Sequence, residues 1–467
     1  MDDPDHDRPA DPSANVQLAI RGAFSDEQPE EQHQSAPAVQ LLADHAIPRT
    51  SHDAPDHDIN STTTTVKSTT VKSTIPREFY TSAQWTADGT SLVASTSYNS
   101  ISTFVLPSDL LDPSSRPRSL APQSRVLLPE PTQTILPAPY FSLTEPTSQT
   151  VLVGCRDHPI HLYHLFPSDD APAKPLASYK LIRHETEAYI TPSSMLWEHP
   201  GTHFLCGSTN RLDYFDMSRH GSDGPLLTIP TIPSKRHIAK GSGVGMKGTV
   251  AALAASPKDA NGGSVVAAGM WTRWIGLYDL HRTDKAVANW SVSNTDDMDG
   301  AAEIGGQGII QVRWSPCGRY LIVNERQSTG LLVYDIRGSG RLLSVLKGRD
   351  AATQQKLTCD VFQGSQQGGE SSFFEVWAGS KDGSVVVWED VGSTFGIVEP
   401  TWDWKAHESP VGSTILHSSG SVVATCSGGW GTPSVKEIDD DFGEAKALSN
   451  AQRVFDESGL KIWSIGS

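Results

Sequence analysis

Three groups of residues have the types and spacing to do chemistry. Cys155, His158, His161 and His164 lie close enough in sequence to resemble a metal-ligand cluster. They sit in VLVGCRDHPIHLYHL, Val151–Leu165, which reads as two short alternating strands about a tight turn, so His161 and His164 project from opposite faces. Zinc requires convergent ligands, so no metal is expected, nor any other cofactor. The second group, GSGVGMKGT at Gly241–Thr249, resembles a phosphate-binding loop. That chemistry needs a Gly directly before the Lys and a helix behind it. Here Met246 precedes Lys247 and a strand pattern follows, which makes the stretch a connecting loop. The third group is Arg156, His158, Arg211, Trp271, Arg273, Trp274, Arg326 and Lys381, all in or beside what read as turns between strands. Cations among aromatic rings suit RNA, by phosphate pairing and base stacking. They suit a protein interface equally, or a solvated surface with one or two tryptophans packed inward.

Catalysis is not expected, because no nucleophile–base pair stands out. Cys155, Cys206, Cys359 and Cys426 fall in or near apolar strands and read as small core residues. Cys317 lies in a turn with nothing nearby to activate it.

The elements that carry these turns repeat. Ala378–Glu389, AGSKDGSVVVWE, matches the Val151–Leu165 stretch, with Gly379 for Gly154, Asp382 for Asp157 and Trp388 for Tyr163. Seven units follow one another from Phe79, beginning at Gln84, Tyr140, Met195, Val250, Ile310, Leu357 and Ile415, and each reads as strand, turn, strand, turn, aromatic-bearing strand. The closing aromatics are Phe104, Tyr163, Phe215, Tyr278, Tyr334, Trp388 and Trp463. A small residue precedes the aromatic by nine positions at Ser95, Gly154, Gly269 and Gly379, and by eight at Gly207. The aromatics are 52 to 75 residues apart, longer than the roughly 40–45 of a WD40 repeat. The surplus is assigned to loops such as Pro107–Pro137 and to an acidic insertion at residues 430–458 that contains Glu437, Asp439, Asp440 and Asp441. Repeats of this kind predict an all-β, seven-bladed WD40-type β-propeller, since one blade cannot bury both of its faces alone. In such blades Asp157 and Asp382 occupy turns where an Asp ties strands together, while His184 and His407 precede blades three and seven, where a His often joins such a network.

The formal net charge is −17, with 13 acids against 5 bases in residues 1–74 and 41 against 32 in the remainder. No global basic footprint for nucleic acid exists, so any RNA contact must use a local patch. Residues 1–60 are rich in Asp, Pro, Ser, Gln and His and read as a disordered acidic tail ahead of a propeller over 61–467. No apolar run is long enough to span a membrane, the start lacks the apolar segment of a signal peptide, and five cysteines without framework spacing favour a reducing compartment. The glycosylation patterns at Asn60 and Asn289 are read as chance matches. The last blade needs a fourth strand to close the ring, and the β-branched stretch within Thr63–Tyr80 is expected to supply it beside Leu460–Ile465.

With these units in place, the chain resembles the telomerase Cajal body proteins and their fungal splicing-associated relatives, a WD-repeat family. The resemblance covers about Pro76 to Ser467 and rests on PREFYTSAQWTADG (Pro76–Gly89), GCRDHPIHLYHL (Gly154–Leu165), AAGMWTRWIGLYDL (Ala267–Leu280) and HSSGSVVATCSGGW (His417–Trp430). The fifth unit departs, with Asn324-Glu325 where a Gly or Ser is expected. The resemblance implies a nuclear, non-enzymatic scaffold whose partners are small nuclear RNA and ribonucleoprotein proteins, with Cajal bodies or the splicing machinery as its setting. The alternative is a WD adaptor that binds only proteins.

Overall fold

The structure, a computed structural model, describes residues 36–47, 78–112, 117–167, 173–183, 185–221, 223–232, 246–260, 262–295, 300–338, 340–363, 373–431, 453–454 and 457–466. Its strands belong to one compact unit, Pro37–Ser467. They form seven blades, each with four antiparallel strands from the channel outward, and in blades five and seven a short parallel strand is added at the outer edge, Gly396–Val398 in blade five. Blade one is Tyr80–Trp85, Ser91–Thr96, Ser100–Val105 and Ser124–Leu127; blade two is Thr132–Pro137, Thr150–Cys155, Ile160–His164 and Ala177–Tyr179. Blade three is Ser194–Trp197, His203–Ser208, Arg211–Asp216 and Leu227–Pro230; blade four is Val250–Ala255, Val266–Met270, Trp274–Tyr278 and Ala286–Ser291. Blade five is Ile309–Trp314, Tyr320–Glu325, Leu331–Asp335 and Arg341–Leu346; blade six is Cys359–Phe362, Glu375–Gly379, Ser384–Trp388 and Trp402–Lys405. Blade seven is Val411–Leu416, Val422–Ser427, Gly459–Ile465 and, from the other end of the chain, Val39–Ala46.

All seven closing aromatics fall in third strands and are buried, from fully at Phe104, Tyr334 and Trp388 to 9% exposed at Trp463. Six apolar clusters account for every junction between neighbouring blades, so the core is divided among the seams. The recurring small residue is explained by this packing. A Cβ on Gly269 would stand 2.5 Å from Ile309 on the inner strand of the next blade, and one on Gly379 would stand 2.7 Å from Val411. In blades one, two, four, five and seven the inner strand bulges close to this point. A bulge sharpens local twist and lets the inner strand lean against its neighbour.

Closure differs from the sequence-based expectation. Both edges of Gly459–Ile465 are occupied, one by Val422–Ser427 and the other by Val39–Ala46, paired antiparallel from Val39↔Ile465 to Ala46↔Gly459. The closing strand therefore comes from inside the stretch assigned to the tail, not from Thr63–Tyr80. Tyr80 itself begins blade one, and residues 63–77 lie outside the described residues, as do 1–35 and 48–60 of the predicted tail. The physical reason is apolar content. VQLLADHA sends Val39 and Leu41 to the cluster holding Trp463, and Leu42 and fully buried Ala43 to the opposite seam with blade one. A run of Thr and Lys has no such surface to bury. Arg118–Ser119 adds a short parallel fifth strand outside Val39–Ala46, and His45 Nδ1 lies 2.8 Å from the Leu120 carbonyl oxygen.

Two further boundaries move. Pro107–Pro137 is not simply a loop, since it contains the outer strand of blade one and the inner strand of blade two, which begins at Thr132 instead of Tyr140. Of the insertion, Trp430–Gly431 and Arg453–Val454 pair as a small ribbon, and the acid cluster lies outside the described residues.

Removing residues 1–47 is expected to lower the melting temperature by many degrees relative to removing 1–35. Replacing Thr63–Ile75 with Gly/Ser of equal length should leave it unchanged, and equal melting of the two truncations would refute Val39–Ala46 as the closing strand.

Candidate nucleic-acid interface

In a propeller the turns between second and third strands share one rim with the connections between blades. Six of these turns place a residue at positive φ: Asn99 (56°), Asp157 (54°), Asn210 (61°), Arg273 (64°), Gln327 (53°) and Gly383 (93°). Asn, Asp and Gly are the residues that accept this geometry readily. Arginine is not, and the structure shows what holds it. Arg273 grips buried Glu325 of blade five with Nε at 2.8 Å from Oε1 and Nη2 at 3.1 Å from Oε2. Arg273 is thus a clamp between blades. Arg211 is engaged similarly, with Nε donating to Oδ2 of fully buried Asp213 at 2.7 Å, while Thr228 donates to the same carboxylate. The sequence-level oddity Asn324-Glu325 belongs to this clamping. Asn324 donates to Leu357 O at the start of blade six and accepts from Arg349, a buried guanidinium that also donates to Gly379 O and Leu357 O. Burial lowers the Arg349 pKa to about 10.

The remaining candidates stay at the surface. Arg156 is 67% exposed and lies 3.4 Å from the carboxylate of Asp157. His158 Nδ1 is 2.8 Å from Arg156 O. Lys381 is exposed in the turn of blade six, where Asp382 accepts from the amide and hydroxyl of Ser384. Trp274 is half-buried and packs on the cluster between blades three and four. Trp271, beside it, is 44% exposed, and the Arg326 guanidinium lies over its ring at 4.3 Å. The group therefore separates into Arg211, Arg273 and Trp274, which serve packing, and Arg156, His158, Trp271, Arg326 and Lys381, which remain near solvent. Trp271 and Arg326 are in contact.

Sequence reasoning missed three exposed aromatics on the same rim: Tyr98 in the turn of blade one, Tyr189 in the connection before blade three, and Trp430 where the insertion leaves blade seven. Trp430 packs edge-on against Phe79 at 5.3 Å. It also missed Lys356, an exposed residue leading into blade six. A lone lysine or tyrosine in a loop has no sequence signal that separates it from its neighbours.

The histidines diverge as their alternation implies. His161 Nδ1 meets Ser178, and His164 Nε2 meets Pro146 O. Among the described residues no group of three or more His, Cys, Asp or Glu could hold a metal ion. Met246 is buried, and the Gly248 amide donates to Asn210 in the turn of blade three. His184 lies outside the described residues. His407 is buried, with Nε2 at 2.8 Å from Thr425 Oγ1 and Nδ1 at 3.2 Å from Glu457. Trp463 donates to Thr425 and Lys461 pairs with Glu457. The acid of this network thus comes from the returning end of the insertion.

Two tests follow from these clamps. Arg273→Ala leaves a buried carboxylate without its guanidinium and should cost on the order of 3 kcal/mol in urea unfolding, with partial recovery on adding Glu325→Gln. The second is acid sensitivity. Burial holds His407 below its usual range. Burial would raise Glu457, but hydrogen bonds from His407, Lys461 and the Glu408 amide outweigh it and bring Glu457 down to about 2. Both folded-state values lie below the unfolded ones. Stability is therefore complete above about pH 6.5, falls first as unfolded His407 protonates, and falls again between about pH 4.5 and 2. Glu457→Gln should remove the second fall, on the order of 2–3 kcal/mol, measured as urea midpoints against pH.

No family model matches the chain. Among curated proteins, telomerase Cajal body protein 1 of Homo sapiens is 26% identical over 401 residues, covering 84% of this chain and 65% of that protein. Guanine nucleotide-binding protein negative regulator 1 of Schizosaccharomyces pombe is 24% identical over 321 residues, covering 68% of this chain and 72% of that protein. Protein SWT21 of Eremothecium gossypii is 28% identical over 269 residues, covering 56% of this chain and 60% of that protein. The chain thus spans somewhat less than two thirds of the human relative. Seven blades built on one repeated aromatic, taken with these likenesses, make the chain a WD-repeat β-propeller protein that resembles the telomerase Cajal body proteins and their fungal relatives.

Proposed function

We propose that this propeller is a non-enzymatic nuclear scaffold that holds small RNA during ribonucleoprotein assembly or trafficking. The observation that carries this reading is the rim on which Tyr98, Tyr189, Trp271 and Trp430 expose aromatic surface among the cations Arg156, Arg326, Lys356 and Lys381. Stacking of a base on an aromatic ring contributes about 1–3 kcal/mol, and local cations can pair with phosphates although the molecule as a whole is acidic. The name of the human relative, which contains both telomerase and the Cajal body, supports the same reading. A protein-only adaptor is the second reading. The name of the Schizosaccharomyces pombe relative favours it, since regulation of a guanine nucleotide-binding protein does not require RNA.

Crosslinking in cells followed by sequencing of bound RNA separates the two. Arg156→Ala/Trp271→Ala/Lys381→Ala, with Arg273 left in place to preserve the fold, should lose RNA recovery at least tenfold while still unfolding in one cooperative transition. Loss of a protein partner, with no RNA recovered from either form, would establish the adaptor instead.

A further inference from the structure

The cations of the rim divide by whether an acid answers them. Most have one close by. Arg125 grips Glu78 at 2.7 Å, Arg156 faces Asp157, and Arg211 and Arg273 hold Asp213 and Glu325. Lys180 and Arg183 share the connection before blade three with Glu185 and Glu187. Four others pair with no carboxylate among the described residues: Lys247 before blade four, Arg326 in the turn of blade five, Lys356 before blade six and Lys381 in the turn of blade six.

Hydrogen bonds and ring contacts join these four into one arc. The Lys247 carbonyl accepts from Thr272 Oγ1 in the turn of blade four at 2.6 Å. Trp271, next to Thr272, lies under the Arg326 guanidinium at 4.3 Å, and Arg326 Nη1 donates to Gln354 at 3.3 Å. Gln354 belongs to the connection between blades five and six, which is fastened to the turns beyond it. The Asp350 carbonyl accepts from the Lys381 amide at 2.6 Å, and Gln355 Nε2 donates to Gly428 O of blade seven at 2.6 Å. Lys356 lies between Gln355 and Leu357, whose carbonyl accepts from Asn324 and Arg349. Two residues past Gly428 stands Trp430. The arc thus carries an exposed indole near each end, Trp271 and Trp430. Arg349 lies buried beneath it and donates only to neutral oxygens, those of Gly379, Asn324 and Leu357. Asp350 and Asp382 belong to the same arc, but among the described residues their carboxylates pair with none of these cations, and that of Asp382 accepts from Ser384.

A cation already paired with a carboxylate offers an incoming anion little, whereas one without a counter-charge offers its full local attraction. The charge of buried Arg349 adds to that attraction and is screened by salt less than an exposed charge. Cations spaced along a path between two flat rings match a polyanion whose repeating unit has both a phosphate and a planar base. We infer that this arc anchors the RNA: a single strand crosses from blade four to blade seven, with one base on Trp271, another on Trp430 and its phosphates along Arg326, Lys356 and Lys381. This rests on the RNA reading of the rim and assigns its footprint. A double helix keeps its bases stacked on one another and leaves both indoles unused.

The test uses the full chain and a fluorescein-labelled twenty-nucleotide oligouridylate, read by anisotropy across salt concentrations. Trp271→Ala and Trp430→Ala should each weaken binding about tenfold with the salt slope unchanged. Lys356→Met/Lys381→Met should weaken it and reduce the magnitude of the slope by about 1.4, the share of two phosphate contacts on a single strand. Lys180→Met/Arg183→Met, which removes two rim cations outside the arc, should bind like the wild type. If that control weakens binding as much as Lys356→Met/Lys381→Met, or if the arc variants bind like the wild type, the arc is wrong and the rim reading stands. If the wild type binds no RNA, both fail, and binding of a phosphoserine peptide in its place would assign the cations to a protein partner. Lys356 and Lys381 are exposed and in no core cluster, so their double variant keeps the test decisive even if a tryptophan variant lowers the melting temperature.

Discussion

In four blades the second strand carries a glycine because the next blade comes too close for a side chain. A Cβ on Gly154, Gly207, Gly269 or Gly379 would stand 2.5–2.7 Å from Pro192, Val250, Ile309 or Val411 respectively. This approach lets the next inner strand pack against the sheet before it, and the apolar seams of these four blades depend on it. A propeller has no central core to absorb an error. Each seam must be satisfied by its own two blades, so a seam that abandons the glycine must replace close packing with something else. Blade five does so. Asn324 occupies the small-residue position and hydrogen-bonds across the gap to Leu357 O, with Arg349 filling the space. Glu325, next in sequence, reaches back to Arg273 of blade four. One dipeptide thereby fastens blade five to both neighbours.

The seams also decide which parts of the fold were legible in the sequence. The seven aromatics and the small residues before them are seam residues, repeated because the seam repeats. Glycine at a fixed distance from an aromatic is a strong signal when the same steric limit recurs. The inner strand of blade two was misread because TQTILP lies among prolines, and one strand without its partners looks like a loop. The closing strand was hidden for a related reason. Val39–Ala46 has no turn or partner near it in sequence, and its mate lies at the far end of the chain. The Thr-rich stretch had β-propensity, but propensity alone cannot satisfy two apolar faces.

The site was legible in part. Arginines in turns can be noticed from sequence, but their partners cannot. Glu325 lies 52 positions from Arg273, and nothing local marks the pair. Arg211 and Asp213 are closer, yet an exposed pair and a buried one look alike in a sequence. Trp271 was noticed because two tryptophans in a turn are chemically excessive. Lys356 went unnoticed because its character comes from its surroundings.

Charge decides how such a rim could work. At physiological salt, charges beyond about 8 Å are largely screened, so the net −17 of the chain gives a polyanion only a weak, salt-dependent repulsion, and the local charges of the rim decide contact. Arg211 and Arg273, which unpaired would extend a positive surface, are neutralised by Asp213 and Glu325. The cations left without a buried acid are few and local. A ligand contacting about three of them would displace few counterions, with a salt slope near −2 for a single strand. Binding on these terms is more dependent on stacking and fit than that of a basic RNA-binding domain. It also discriminates better, because an acidic body repels any polyanion that cannot make the specific contacts.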